Sequence, residues 1–256
     1  MRRLRISLWA LALCLLNGGA AAAEPLRVGY FSLPPHVIES GTADGSPAIA
    51  YLDQVLDKAG LKADYQNYPL SRLLNLLRDQ QLDAALILAR NDDRARYLDY
   101  PAIPFLTTQP AFAVIAGKPS ASLEGLRASR SIVIGIWQGG YHSATLDSLD
   151  ASLEPIAGDE IASRGLRMLS MGRIDAFFSP DIHSIRAAIR KRRLDERVVV
   201  IPVPNEKTNL YTVFSSEAGK RYKRRYEDAL ATMRREMPYE KFLLQSLAEP
   251  PRNGGD

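Results

Sequence analysis

The 256-residue sequence predicts an α/β protein of two lobes, each a central β-sheet flanked by helices, joined by a two-segment hinge with a cleft between. Three observations carry that prediction. Leu82-Asp83-Ala84-Ala85-Leu86-Ile87 in the first half is echoed by Ile174-Asp175-Ala176-Phe177-Phe178 in the second. Each echo is preceded by a second matched pair, Val28-Gly29-Tyr30-Phe31 and Ile134-Gly135-Ile136-Trp137, so both halves read as strand, glycine-bearing turn, helix, strand, helix, strand. An arginine follows the matched strands of the first half and an acid those of the second, a pairing suited to a zwitterion held in a cleft.

Leu26 to Phe31 reads as a buried strand, and Ser32-Leu33-Pro34-Pro35-His36 cannot continue as helix because two prolines fix φ and remove donors. Pro47 marks a helix start. Leu52, Val55, Leu56 and Ala59 share one face, and Gly60 caps the end. Leu61, Ala63 and Tyr65 alternate as a strand, while Leu70, Leu73, Leu74 and Leu77 recur at helical spacing. After the Asp83 strand comes a polar loop, Arg90-Asn91-Asp92-Asp93-Arg94-Ala95-Arg96. Pro110 to Ile115 leaves the first lobe, where Gly117-Lys118-Pro119 breaks the pattern, and the second lobe starts afresh at Ser131. Asp159 is expected to cap a helix that runs to Met171 and ends at Gly172. Arg197 to Val203 is a β-branched run and Leu210 to Phe214 a strand. Glu217 to Ala248 is helical with a break at Met237-Pro238, and the tail from Pro250 is expected to be disordered. The expected division is a first lobe over 24–113, a second over 114–207, and a return to the first over 208–256, with crossings near 112–118 and 204–211.

Residues 1–23 read as a secretory signal. Arg2, Arg3 and Arg5 lead an apolar run from Ile6 to Leu16, and Ala20 to Ala23 supply small residues for cleavage before Glu24. A periplasmic location follows as an expectation. The signal holds three of the 33 bases and none of the 29 acids, so the mature chain is nearly neutral and its composition points to no nucleic-acid partner. The single cysteine, Cys14, lies inside the signal, which leaves no disulfide and no thiol nucleophile in the mature chain.

Leu82-Asp83-Ala84 through Arg94 to Leu98-Asp99-Tyr100, Gly172-Arg173-Ile174-Asp175-Ala176, and Ala229 to Phe242 with its closing Tyr239-Glu240-Lys241-Phe242 together resemble the periplasmic solute-binding proteins of the polar-amino-acid ABC transporter type, the family 3 extracellular solute-binding proteins. The resemblance spans nearly all of the mature chain. It implies the type II periplasmic-binding-protein fold and binding of a small carboxylated solute, an amino acid or a relative, for import through the membrane component of an ABC transporter. It also implies a monomer without metal or organic cofactor. Arg94 matches the arginine that grips the ligand carboxylate, a role that suits the rigid fork of a guanidinium. Family members often carry serine or threonine where this chain has Ala89. The acid that meets the ligand ammonium falls at Pro180 in this register, with Asp181 one residue later; Asp181 either reaches the site or caps a helix. Tyr30, Phe31, Trp137 and Tyr141 are candidate aromatic walls, Gly140 a backbone donor from Gly139-Gly140-Tyr141, and Arg72 a second cation or a solvent-facing helix residue.

His36, His142 and His183 show no zinc-site spacing, and Ser179-Pro180-Asp181-Ile182-His183 has no nucleophile elbow around it. Two alternatives remain on the same fold. One is an enzyme resembling the cyclohexadienyl dehydratases, with Glu39, Asp181 or Glu206 as general acid. The other is a periplasmic sensor that signals without transport.

Overall fold

The computed structural model describes residues 24–38 and 46–248. The expected signal peptide, Glu39 and the tail from Pro250 lie outside the described residues. The chain opens with β1 (Leu26–Tyr30) and crosses through α1 (Pro47–Lys58) to β2 (Ala63–Asn67), then through α2 (Leu70–Arg78) to β3 (Ala84–Ala89). Both β2 and β3 run parallel to β1, as strands joined by crossover helices must. Pro47 is the first residue of α1, and Leu52, Val55, Leu56 and Ala59 are all buried, as their spacing predicts. β3 is buried along its whole length because sheet neighbours lie on both sides and helices cover the faces.

A short helix α3 (Asp92–Ala95) and two brief strands, β4 (Leu98–Asp99) and β5 (Leu106–Thr108), complete this segment. The second lobe runs β6 (Ala111–Ile115), α4 (Leu123–Ala128), β7 (Ile132–Trp137), α5 (Ala144–Asp147), β8 (Ala151–Ile156), α6 (Ile161–Ser170), β9 (Ala176–Ser179), α7 (Ile182–Arg192) and β10 (Val198–Pro202). Its sheet has the order β10-β6-β9-β7-β8. The chain then returns as β11 (Thr208–Ser215), which pairs antiparallel with β3, β4 and β5 and gives the first sheet the order β2-β1-β3-β11-β4. Helices α8 (Ser216–Glu236) and α9 (Tyr239–Ala248) close the first lobe on either side of the break at Met237-Pro238.

The repeated sequence motif has a physical cause in both lobes. The Asp83 amide donates to the Arg27 carbonyl (2.9 Å), and the Asp83 carboxylate accepts from the Arg27 amide (2.8 Å). Asp175 does the same with Val133, at 2.8 and 3.0 Å. Each aspartate thus pins the entry of one parallel strand to its neighbour. The preceding Leu82 and Ile174 explain the matched glycines, because a Cβ on Gly29 would meet Leu82 at 2.6 Å and one on Gly135 would meet Ile174 at 2.7 Å. A side chain at either position would displace these side chains from the face of the sheet.

Two boundaries differ from the sequence reading. β6 pairs with β9 and β10 from Ala111 onward, so the first crossing falls between Thr108 and Ala111 and not near 112–118. An apolar run buried on both faces does not reveal which sheet it joins. The return crossing lies between Pro202 and Thr208. The two crossings are laced together: the Gln109 side chain donates to the Val203 carbonyl and the Val203 amide to the Pro110 carbonyl, both at 2.9 Å. In addition, α6 is capped by Glu160 in a left-handed conformation (φ 49°), not by Asp159.

Asp175→Ala should lower stability by about 1–2 kcal/mol, the scale of a lost carboxylate–amide bond. Urea unfolding with an unchanged slope would report it, and solute binding should be unaffected.

Candidate ligand-binding site

The site begins where β3 ends. Asn91 caps α3 by accepting the Arg94 amide (2.9 Å), which turns the Arg94 side chain back toward the strand it has just left. There its Nη1 donates to the Ala89 carbonyl at 2.9 Å, and Tyr100 donates to the same carbonyl at 3.1 Å. Arg94 Nη2 reaches across the cleft to the carbonyl of Gly139 in the second lobe. Arg94 is only 4 % exposed. No ion pair among the described residues involves it. Burial pushes its pKa down, opposed by Tyr100 and Tyr97. Two carbonyls orient the guanidinium and leave three of its five N–H donors and its whole charge without a counter-ion.

The walls around Arg94 come from both lobes. Phe31 and Trp137 meet edge to face across the cleft, ring centres 5.9 Å apart. Leu33, Leu70, Ile87, Leu210, Gly140 and Tyr141 also line the central cavity, which in this closed arrangement measures about 30 Å³. A water needs roughly 10–15 Å³ by that measure, so a solute enters only as the lobes part. The indole Nε1 of Trp137 and the hydroxyl of Ser32 are buried without partners among the described residues. Ile87 has φ 61°, a rare conformation for a β-branched residue. It lies in a bulge where Leu86 and Ile87 together face Thr212 of β11.

Asp181 occupies a different environment. It is fully buried and caps α7, accepting the amides of His183 (3.2 Å) and Ser184 (2.9 Å) and the Ser184 hydroxyl. From the first lobe, Thr108 donates its hydroxyl at 2.6 Å, and His36 Nε2 lies 3.3 Å away at ion-pair range, out of line for a hydrogen bond. His36 Nδ1 meets the Tyr239 hydroxyl at 2.9 Å, and its ring stands edge-on to His183. Burial alone would raise the Asp181 pKa; the facing His36 and the bonds from Ser184 and Thr108 outweigh it and hold the carboxyl well below the usual range. Burial pushes His183 down, against the pull of Asp181.

The structure therefore gathers Phe31, Ala89, Arg94, Trp137, Gly140, Tyr141 and Asp181 around one cavity and leaves two expected residues outside it. Tyr30 is buried in the first-lobe core, because successive side chains of β1 point to opposite faces and Phe31 takes the cleft side. Arg72 lies on the exposed face of α2 with its guanidinium 5.6 Å over the Tyr68 ring. Two roles also change. The Gly140 amide is spent on the Trp137 carbonyl (2.9 Å) in a turn that needs the positive φ of Gly139. Asp181 has its oxygens committed to protein donors and offers no free face to an ammonium. The sequence reading missed Leu33, Ile87, Leu210 and the His36–Asp181 contact. A histidine after two prolines carries no signal of a distant aspartate, and Ile87 has no turn residue beside it to mark a bulge.

With this geometry in place, the fold can be compared with solved structures. No family model and no curated relative matches the sequence. The arginine-, lysine-, histidine-binding protein ArtJ from Geobacillus stearothermophilus superposes with TM-score 0.71 at 16 % identity, covering 90 % of this chain and 97 % of that one. A histidine kinase sensor domain with similarity to periplasmic binding proteins gives 0.66 at 19 %, over 90 % and 99 % of the two chains. The ancestral amino acid-binding protein AncCDT-1, a precursor of cyclohexadienyl dehydratase, gives 0.67 at 16 %, over 86 % and 94 %. The chain has the two-lobed periplasmic-binding-protein fold.

Asp181→Asn should destabilise the protein by about 1–3 kcal/mol, because it removes the charge from the buried acceptor of the Thr108 hydroxyl and the α7 amides and turns an amide NH2 toward those donors. The native carboxyl lies below its unfolded value near ~3.9. Its stabilisation is therefore complete above that value and is lost as pH falls through the native one. Urea unfolding from neutral pH down to about pH 3 should show a flatter acid limb in the variant than in the parent.

Proposed function

We propose that the protein binds a small carboxylate-bearing solute, an amino acid or a relative of one, in the interlobe cleft of a periplasmic protein and delivers it to an ABC-type importer. The observation that carries this reading is Arg94. A guanidinium buried at the meeting of two lobes, oriented by carbonyls and lacking any carboxylate partner among the described residues, is an anion site awaiting its anion. The lining supports a small organic solute, with Phe31, Trp137 and Tyr141 as aromatic walls and the unpartnered Trp137 Nε1 as a further donor. The laced crossings at Gln109-Pro110 and Val203 suit a hinge, and the Arg94 contact with Gly139 spans the gap that the hinge would open and close.

The dehydratase alternative needs a cleft acid that holds a proton. Asp181 is held ionised, and Glu206 accepts both the amide (2.9 Å) and the hydroxyl of Thr145, so neither is arranged as a donor. Glu39 lies outside the described residues. The structural likeness to a binding protein and to a sensor domain fits the binding function in either setting.

Arg94→Ala should leave the protein folded and weaken carboxylate binding by roughly 100-fold or more, since truncating one side of a buried charged contact costs about 2–5 kcal/mol. Thermal-shift titration reads this directly. A solute at ~100 times its Kd should stabilise the parent by about 2.7 kcal/mol and the variant hardly at all. Equal shifts in both would remove Arg94 from the site.

A further inference from the structure

We infer that the solute carries its amine at the far end from its carboxylate, as an ω-amino acid does, because the acid left open in the cleft lies beyond the aromatic pair and not beside Arg94. This inference rests on the proposed carboxylate role of Arg94 and narrows the solute class. A second interlobe cavity of about 30 Å³ adjoins the central one and shares Phe31, Leu70 and Trp137 with it. It lies between the start of α2 in the first lobe and the turn from β8 into α6 in the second. The edge-to-face pair of Phe31 and Trp137, with Leu70, is thus the apolar wall common to both.

Three charged side chains line the joined cavities: Arg94, Asp181 and Asp159. The oxygens of Asp181 are taken by Thr108, His183 and Ser184 with His36 alongside, so no open acid stands next to Arg94 for an α-ammonium. Asp159 is different. It is exposed to the cleft solvent and takes part in no ion pair among the described residues. The charges nearest to it in the chain are engaged elsewhere: Glu160 pairs with Lys191, and the Arg164 guanidinium lies against Gly158 without closing on Asp159. Ser32 lines the same cavity, is 4 % exposed, and has a hydroxyl with no partner among the described residues. A buried hydroxyl in that state is costly unless a solute group bonds it. One end of the joined cleft therefore offers an open cation and the other an open acid, with apolar side chains between. A solute whose carboxylate meets Arg94 lays its methylenes along Phe31, Leu70 and Trp137 and ends its amine at Asp159. An α-amino acid places both charges at one end, where the acid is already spent.

Calorimetric titration of the purified protein tests this with γ-aminobutyrate, δ-aminovalerate and ε-aminocaproate, their α-amino isomers, and the amine-free acids of the same chain lengths. The best ω-amino acid should bind about fivefold tighter than the amine-free acid of its length, and the α-isomer no tighter than that acid. Rising salt should shrink the preference, since Asp159 is exposed. Asp159→Asn should bring the ω-amino acid and the amine-free acid to parity, and Arg94→Ala should abolish binding of both. If Asp159→Asn weakens both equally and keeps their ratio, Asp159 is structural and its assignment falls. Binding of the α-isomer more tightly than the ω-isomer would overturn the solute class. If ω-amino and amine-free acids bind alike and both depend on Arg94, the distal subsite is wrong while the carboxylate reading stands. If nothing carboxylated binds, the carboxylate reading falls and the subsite with it.

Discussion

Asp181 and the groups that surround it hold the two lobes in register at the hinge. The carboxylate belongs to the second lobe, where it starts α7. Two of its partners, Thr108 at the end of β5 and His36 in the turn after β1, belong to the first. A buried carboxylate is tolerable only when its lone pairs are filled and its charge is met, and here donors from both lobes are needed to do it. That requirement fixes the start of α7 and the approach of the proline turn. It also fixes the point at which the chain crosses, one residue beyond Thr108. The Tyr239 hydroxyl on His36 extends the same network to α9, whose ring cluster with Tyr51 and Phe105 anchors the end of the described chain.

Two buried charges define the chemistry of the cleft, and they are treated differently. Asp181 is hydrogen-bonded from within, its oxygens taken by Thr108, His183 and Ser184. Arg94 is oriented but not neutralised, because carbonyl oxygens accept its protons without supplying a full negative charge. The first arrangement is structural and the second invites a ligand. The oxygens of Asp181 are taken by internal donors, whereas Arg94 keeps N–H donors that no group among the described residues accepts. Placement, and not overall charge, leaves a cationic group open at the cleft.

The elements were largely legible in the sequence because their signals are local. Pro47 and Gly60 bracket α1, the leucines of α2 repeat at helical spacing, and Met237-Pro238 separates α8 from α9. The paired Asp83 and Asp175 were legible as a repeat, and the structure supplies the reason: each holds a parallel strand by the same two-way bond. The site was legible in part. Arg94, Phe31, Trp137 and Tyr141 follow strand ends, where cleft residues fall. Tyr30 and Arg72 were separated from them by one pleat and one helix face, distinctions a single residue decides. For Asp181 both a capping role and a ligand role were open, and the capping role prevails.

The sequence by itself determined the two-lobed α/β plan, the longer helices and the matched strands, and the arginine after β3, since periodicity and turn chemistry act over a few residues; the short α3, which the sequence reads as a polar loop, and β8 were not marked. Tertiary structure alone decided which carboxylate is spent and which cation is left over. Thr108 and Asp181 are 73 positions apart, and His36 and Tyr239 are 203 apart. Nothing in the local pattern of either pair encodes the other. Their meeting follows from where the sheets place the crossings, and a side chain's free or committed state exists only once its distant partner has arrived.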